Sequence, residues 1–111
     1  MSKTLLSHNY KLYGWVLSGG TNEIVAIKEF LNSNNIEFTL TSTNGNVLIN
    51  YYTKNKIEDF HDRFILLVHL IKDDIGEYFI NDVEHGNFVL KHYIFKLGEV
   101  TEKEPIIFST E

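Results

Sequence analysis

Five carboxylates fall within twelve residues of one another and are the side chains best placed to do chemistry. They are Asp73, Asp74, Glu77, Asp82 and Glu84. A calcium-binding loop needs the spacing D-x-[DN]-x-[DN]-G, which this segment lacks. Two carboxylates at a suitable separation can do acid–base chemistry of the kind that glycosidases use. The alternatives are a solvated helix end and hairpin, or a negative surface that docks onto a basic partner.

The histidines form no recognisable catalytic or metal-binding motif. His61 and His69 are eight residues apart, so on one helix their side chains point about 80° apart. The motif H-E-x-x-H, which brings two imidazole rings to one helix face, is absent. His85 and His92 lie in a predicted hairpin, where either could meet a carboxylate in the fold. A small hydrolase that uses a histidine with a carboxylate therefore stays open as an alternative.

The sequence contains no motif for a metal ion or a cofactor. It has no cysteine, which excludes a thiolate zinc site and a cysteine nucleophile. Gly19-Gly20 lies between a predicted strand and a predicted helix, but its surroundings match neither a P-loop nor a dinucleotide-binding motif. We therefore expect no metal and no cofactor.

These residues are positioned by strand and helix patterns that alternate along the chain. Alternation of apolar and polar residues over Ile36–Ser42 predicts a strand, and Asn44-Gly45 predicts a tight hairpin turn to the next one. Apolar residues at steps of three and four predict two helices, of which the second is the more buried. The predicted elements are strand Asn9–Ser18, a helix from Thr21 to the segment Asn32–Asn35, strands Ile36–Ser42 and Asn46–Thr53, helix Ile57–Asp73, and strands Glu77–Val83 and Asn87–Leu97.

The order of these elements predicts an α+β fold, βαββαββ, with two helices packed on one face of a mainly antiparallel sheet. The first six elements also match the ferredoxin-like order, which is the leading alternative topology. The charged segment Glu99–Glu104 is left out of the sheet, because Pro105 follows it and proline blocks a strand interior. With 111 residues, 43% of them hydrophobic, and no linker-like stretch, residues 1–111 are predicted to form a single domain.

Aromatic residues on the strands and the distribution of charge indicate the kind of partner. Two helices cover only one face of a sheet, so some tyrosines and Trp15 should face solvent, where such side chains commonly anchor interfaces. The formal net charge of −5 divides into +2 for residues 1–56 and −7 for residues 57–111. Because an RNA-binding sheet needs a basic surface around its aromatic residues, we expect a basic partner and no nucleic acid.

No segment has the length and composition of a membrane span or a signal peptide. The longest uncharged apolar run, Phe64–Ile71, has eight residues and contains His69, whereas a membrane-spanning helix needs about 20. The first ten residues lack both an apolar core and a small-residue cleavage pattern. The sequence therefore predicts a soluble cytoplasmic protein that does not contact a membrane.

Short motifs spread along the chain resemble those of a known family. They are Tyr10-x-x-Tyr13-Gly14-Trp15, Gly76-x-Tyr78-x-Ile80-x-Asp82, Asn87-x-Val89, and Gly98-x-Val100-x-Glu102-x-Glu104-Pro105 followed by Phe108-Ser109. Together they resemble the immunity protein 7 family, small bacterial proteins encoded beside polymorphic or contact-dependent growth inhibition toxins. The resemblance covers nearly the whole chain. It implies an antitoxin that binds a cognate toxin domain, often a nuclease, and blocks it without chemistry of its own. The resemblance thus implies that the protein is not an enzyme and has no catalytic residue.

The resemblance and the charge pattern together predict an immunity protein that occludes a toxin domain, with a ribonuclease as the favoured target. An acidic patch complements a nuclease site, which is basic because it holds phosphates. We place the interface at the second hairpin and the turn before it. The predicted toxin-binding residues are Asp73, Asp74, Glu77, Tyr78, Asp82, Glu84 and His85. The alternative is a small-ligand-binding regulatory domain of ferredoxin-like topology, with its ligand in a groove between helices and sheet.

Overall fold

The computed structural model describes residues 9–84 and 87–103, and within them the side chains of residues 10–81 and 90–103. This part of the chain forms two α-helices and six β-strands, which confirms the predicted α+β class. In chain order they are β1 (Asn9–Ser18), α1 (Thr21–Ser33), β2 (Glu37–Thr43), β3 (Asn46–Thr53), α2 (Phe60–Leu70), β4 (Ile75–Glu84), β5 (Asn87–Lys96) and β6 (Glu99–Lys103).

The strands form one sheet in the order β2-β3-β1-β4-β5-β6, and every neighbouring pair is antiparallel. Helix α1 connects β1 to β2, with β3 lying between these two strands. Helix α2 connects β3 to β4, with β1 between them. These two interleaved crossovers give the first six elements the ferredoxin-like arrangement, as the alternative topology predicted. Strands β5 and β6 then extend the sheet beyond β4.

Strand β6 is a correction to the predicted order, which left the charged segment after Gly98 outside the sheet. A two-residue turn, Leu97-Gly98, returns the chain alongside β5, and both of its residues have positive φ, 55° and 78°. The predicted Asn44-Gly45 turn has the same form, with φ of 49° and 84°. Two positive φ angles match the right-handed twist of the flanking strands, so both turns close tight hairpins.

Helix α2 is shorter than the predicted range Ile57–Asp73. Asp59 adopts a left-handed conformation with φ of 56°, so the α-helix cannot extend back through it and begins at Phe60. The helix ends at Leu70. It buries four residues against two for α1, which confirms that it is the more buried helix. Neither helix of the described chain is long and apolar enough to span a membrane.

The hydrophobic core lies between the two helices and one face of the sheet, and aromatic rings fill its centre. The ring of Phe64 has its centroid 4.7 Å from that of Tyr78 and 5.3 Å from that of Phe95. Phe60 and Phe30 pack against it from the helix layer, at 5.2 and 5.8 Å. Edge-to-face contacts of this kind add to the stability that burial alone provides.

Two glycines let these rings lie directly against the strands. A Cβ at Gly14 would lie 2.7 Å from the Tyr51 hydroxyl and would collide with the carbonyl oxygen of Glu77. A Cβ at Gly76 would collide with the ring of Phe95. Both positions therefore require glycine, because any larger residue would push a core ring away from the sheet.

Candidate functional site

None of the described residues covers the face of the sheet opposite the helices, and we call it the open face. Side chains alternate along each strand, so Leu12 and Val16 of β1 are buried beneath the helices while Tyr13 and Trp15 lie on the open face. The described open-face residues are Glu37, Thr39 and Thr41 of β2, Leu48, Asn50 and Tyr52 of β3, Lys11, Tyr13, Trp15 and Leu17 of β1, Ile75, Glu77, Phe79 and Asn81 of β4, Leu90, His92, Ile94 and Lys96 of β5, and Glu99, Thr101 and Lys103 of β6.

A row of stacked rings crosses the middle of the open face. The register places Tyr13, Phe79 and His92 directly opposite one another on β1, β4 and β5. The ring centroids of Tyr13 and Phe79 are 5.0 Å apart, and those of Phe79 and His92 are 4.2 Å apart, with interplanar angles of 16° and 17°. Tyr52 on β3 is the next residue of the row. Cross-strand stacking of this kind stabilises the ring orientations on an exposed surface.

Glu77 lies beside this row and is held by two side chains from the neighbouring strands. The Trp15 indole Nε1–H donates to Glu77 Oε1 at 3.0 Å. His92 Nε2 lies 2.8 Å from Glu77 Oε2, and it donates because an ionised carboxylate only accepts hydrogen bonds. The hydrogen bond from His92, supported by that from Trp15, lowers the pKa of Glu77 against the opposing effect of partial burial. The carboxylate is therefore ionised at neutral pH and fixed in orientation.

A hollow of about 440 Å³ lies at the β5–β6 end of the open face. It is lined by Ile94, Lys96, Leu97, Glu99, Thr101 and Lys103. Its volume falls in the range of small-ligand sites, and its lining combines apolar side chains with two lysines, one glutamate and one hydroxyl. Neither Glu77 nor His92 lines it, so the histidine–carboxylate pair lies outside this hollow. Within the described residues, no group of three or more potential ligands is arranged to hold a metal ion.

The structure separates the predicted toxin-binding residues between the two faces of the sheet. Asp73 is exposed in the turn between α2 and β4, and Glu77 lies on the open face with 26% of its side chain accessible. Asp74 and Tyr78 point toward the helices and are only 3% and 0% exposed. In this conformation neither Asp74 nor Tyr78 offers a surface to a partner.

The remaining three predicted residues are Asp82, Glu84 and His85. The backbone of Asp82 and Glu84 belongs to β4 and pairs with β1 or β5. Their side chains lie outside the described part of the structure, as does His85 entirely. Their participation in partner binding stays a prediction.

Asp74 is a buried carboxylate at the start of β4. Burial raises its pKa to about 6, and a hydrogen bond from the Ser18 hydroxyl opposes this rise only in part. The neighbouring carboxylates of Glu23 and Asp73 raise the pKa further. One of its oxygens, Oδ2, has no hydrogen-bond partner among the described residues. An acid in these surroundings costs stability when it is ionised, because its charge is poorly compensated.

Sequence reasoning did not assemble Trp15, Glu77 and His92 into one cluster. Trp15 and Glu77 are 62 residues apart, and only the β1–β4 register brings them together. One signal in the sequence pointed to part of this cluster. Because side chains alternate between the two faces of a strand, Tyr13 and Trp15, two residues apart, must lie on the same face. Sequence alone did not establish which face the helices cover, because both faces of β1 carry apolar residues.

The open face is not uniformly acidic, although the C-terminal half of the chain is. Its described lysines, Lys11, Lys96 and Lys103, equal its glutamates, Glu37, Glu77 and Glu99, in number. Exposed acids are concentrated instead around the start of α2, at Glu58, Asp59 and Asp62. The open face thus combines opposite charges with aromatic rings, which is typical of a specific protein interface.

No protein-family model matches the chain, and no curated protein shows significant similarity to it. The function is therefore inferred from the residues and their geometry. On the described open face, the features that could carry it are the ring row with Glu77 and the hollow at the β5–β6 end.

Proposed function

We propose that the protein is a cytoplasmic immunity protein that binds a cognate toxin domain, a nuclease and most simply a ribonuclease, through its open face. The observation that carries this proposal is an uncovered sheet surface on which Tyr13, Trp15 and Phe79 surround the fixed carboxylate of Glu77. Large aromatic side chains beside a charged group are typical of the centre of a protein interface. The sequence resemblance to the immunity protein 7 family supplies the class of partner.

The charges of the chain favour a basic partner both during the approach through solution and at contact. The net charge of −5 attracts a basic domain through solution and accelerates encounter. At contact, the balanced charges of the open face select among basic partners, because a misplaced like charge is costly. A nuclease domain fits this description, since the site that holds its phosphates is positively charged.

The dimensions of the open face suit this role. Six strands about 4.8 Å apart and up to ten residues long span roughly 24 by 33 Å. This area is close to the ~800 Å² that each partner buries in a standard protein–protein interface. Inhibition then needs no chemical step, because a bound protein of this size excludes the substrate from the toxin's site.

A growth-rescue experiment tests the proposal. The C-terminal domain of the protein encoded immediately upstream is induced in bacteria with and without this protein, and the purified pair is measured by calorimetry. We expect growth arrest, rescue, and a weakening of affinity by at least about tenfold for Tyr13→Ala. The control is Leu66→Ala, which removes an exposed apolar side chain from α2 on the other layer. Failure to rescue, or equal effects of the two variants, would contradict the proposal.

The predicted hairpin tip needs a separate variant. Replacing Asp82 and Glu84 together by lysine reverses two charges of the predicted interface. If these residues contact the toxin, its affinity and the dependence of that affinity on salt both fall. An unchanged affinity would restrict the interface to the described open face.

The hollow at the β5–β6 end favours a second candidate function, the binding of a small anionic ligand. Lys96, Lys103 and the Thr101 hydroxyl supply donors, and Ile94 supplies an apolar surface. The carboxylate of Glu99 leaves the lining with a net charge of +1. The predicted groove between helices and sheet is instead occupied by the packed rings of the core. A screen of small carboxylates and phosphates by thermal shift tests this function. Stabilisation that disappears when both lysines are replaced by alanine would support it, and its absence in the unmodified protein would count against it.

A further inference from the structure

Glu77 occupies an unusual position for a charged residue, near the centre of an exposed six-stranded sheet. Its strand, β4, has two strands on one side and three on the other. Trp15 lies directly opposite Glu77 on β1, and the ring row of Tyr13, Phe79 and His92 lies one register step away. Any partner that covers the open face must therefore cover Glu77.

The carboxylate retains capacity to bind a further group. Each of its oxygens accepts one hydrogen bond within the protein, from Trp15 or from His92. A carboxylate offers about four acceptor positions, so about two are left. With 26% of the side chain exposed, these positions are accessible from the open face. A partner that buries Glu77 must supply donors to them, because a buried charge without a partner is costly.

The rings around Glu77 determine which donor fits best. Trp15 and Tyr13 present aromatic surfaces beside the carboxylate, and Tyr13 is 38% exposed. An arginine guanidinium is planar, stacks on aromatic rings and presents a fork of N–H donors that matches a carboxylate. A lysine ammonium is compact and strongly hydrated, so it gains less from the rings.

We propose that Glu77, with Trp15 and Tyr13, binds an arginine side chain of the partner and forms the central anchor of the interface. This inference rests on the proposed function, because it names the group that the toxin domain inserts at the open face. The hydrogen bonds from Trp15 and His92 fix the carboxylate before the partner arrives. Less conformational entropy is then lost on binding.

Trp15 provides a built-in probe for this site, because it is the only tryptophan in the chain. The fluorescence of Trp15 and the NMR signal of its indole N–H should both change when a group binds Glu77, because this N–H donates to the Glu77 carboxylate. The probes are two short peptides that are identical except for one central residue, arginine or lysine, between glycines. We expect the arginine peptide to bind more tightly than the lysine peptide and to shift the indole signal.

The decisive variant is Glu77→Gln, which keeps the size of the side chain and removes its charge. It should weaken the arginine peptide at least about tenfold and weaken the cognate toxin domain about 30-fold or more. Glu29→Gln, an exposed residue of α1, changes the net charge equally and should leave both affinities within about twofold. Glu77→Asp keeps the charge but shortens its reach, and it tests the site even if the glutamine variant is unstable.

The outcomes separate this inference from the proposed function. Equal binding of the two peptides, or equal effects of Glu77→Gln and Glu29→Gln, would overturn the arginine anchor. Toxin binding that survives in Glu77→Gln would overturn the anchor and leave the immunity function intact. If the arginine peptide binds at Trp15 but the protein neutralises no toxin, the arginine site is supported and the proposed function is wrong.

Discussion

A carboxylate has opposite surroundings on the two faces of the sheet, as Asp74, just before β4, and Glu77, within β4, show. Asp74 lies beneath the helices, where burial raises its pKa to about 6. Glu77 lies three residues further on, on the open face, where hydrogen bonds from His92 and Trp15 lower its pKa. The two residues are only three positions apart in the chain, and their surroundings cause the difference. Desolvation has the largest effect on the pKa of Asp74, and hydrogen-bond donors have the largest effect on that of Glu77.

The same contrast separates stability from recognition. On the covered face, aromatic rings such as Phe64 fill the core, and an ionised group there opposes folding. On the open face, rings such as Phe79 stack beside a charge that is already fixed and accessible. Substitutions on the covered face should therefore change the free energy of unfolding. Substitutions on the open face should change partner affinity more than stability.

The largest effect is expected from a matched pair of phenylalanine substitutions. Phe64→Ala removes a ring that is 1% exposed and should lower the free energy of unfolding by about 3–5 kcal/mol. Phe79→Ala removes a ring from the half-buried open face and should cost about 1 kcal/mol. Urea denaturation of both variants measures the difference. Similar costs for the two substitutions would mean that the faces do not differ as described.

An intermediate effect, of opposite sign, is expected from Asp74→Asn. Because the pKa of Asp74 is raised from 3.8 to about 6, the folded state holds its proton more tightly. This residue's contribution to stability is thus complete below about pH 4 and is lost as the pH rises through about 6. At neutral pH the variant should be more stable than the parent by about 3 kcal/mol, since the shift is about two pKa units and each unit is worth about 1.4 kcal/mol.

Thermal or urea unfolding across this pH range checks the effect of Asp74→Asn. Taking the difference between variant and parent cancels the titration of other carboxylates, including Glu77, whose lowered pKa acts in the opposite direction. The two proteins should be equally stable near the acid end of the range. A difference that does not change with pH would show that the charge of Asp74 is not the cause.

The smallest effect is expected from removing single hydroxyl groups. Tyr78→Phe deletes the hydroxyl that lies 2.7 Å from His61 Nδ1 within the core, and it should cost about 1 kcal/mol. Tyr13→Phe deletes a hydroxyl on the open face and should change stability by less than about 0.5 kcal/mol. Unfolding measurements on the two variants, made side by side, provide the comparison. An equal or larger cost for Tyr13→Phe would place an unrecognised structural contact on the open face.

Most of the fold could be predicted from local sequence patterns, because short stretches of sequence determine most of its helices, strands and turns. Asn44-Gly45 specifies a turn through its backbone preferences, and strand β1 was predicted with the bounds that it has, Asn9–Ser18. The start of α2 was not predicted, because a left-handed Asp59 has no strong signal in sequence. Strand β6 was missed because its charged residues resemble a loop and Leu97 is an unusual first residue for a tight turn.

The candidate site was much less predictable, because it depends on which strands are neighbours. Glu77 was selected for its charge, but Trp15 and His92 reach it only through the pairing of β1 and β5 with β4. Asp74 and Tyr78 were selected from the same segment and lie on the other face. Adjacent residues look equivalent in a short stretch of sequence, whereas in a strand their side chains point to opposite faces of the sheet.

Strand β6 has a consequence for solubility that is separate from partner binding. It covers the outer edge of β5, a strand rich in apolar residues whose backbone groups would otherwise be free to pair with another chain. Among the described residues, the sheet therefore ends at β6 and not at β5. Strand β6 has five residues, of which Glu99, Glu102 and Lys103 are exposed. A further strand pairs poorly with a short, charged edge, so β6 disfavours edge-to-edge aggregation of the sheet on this side.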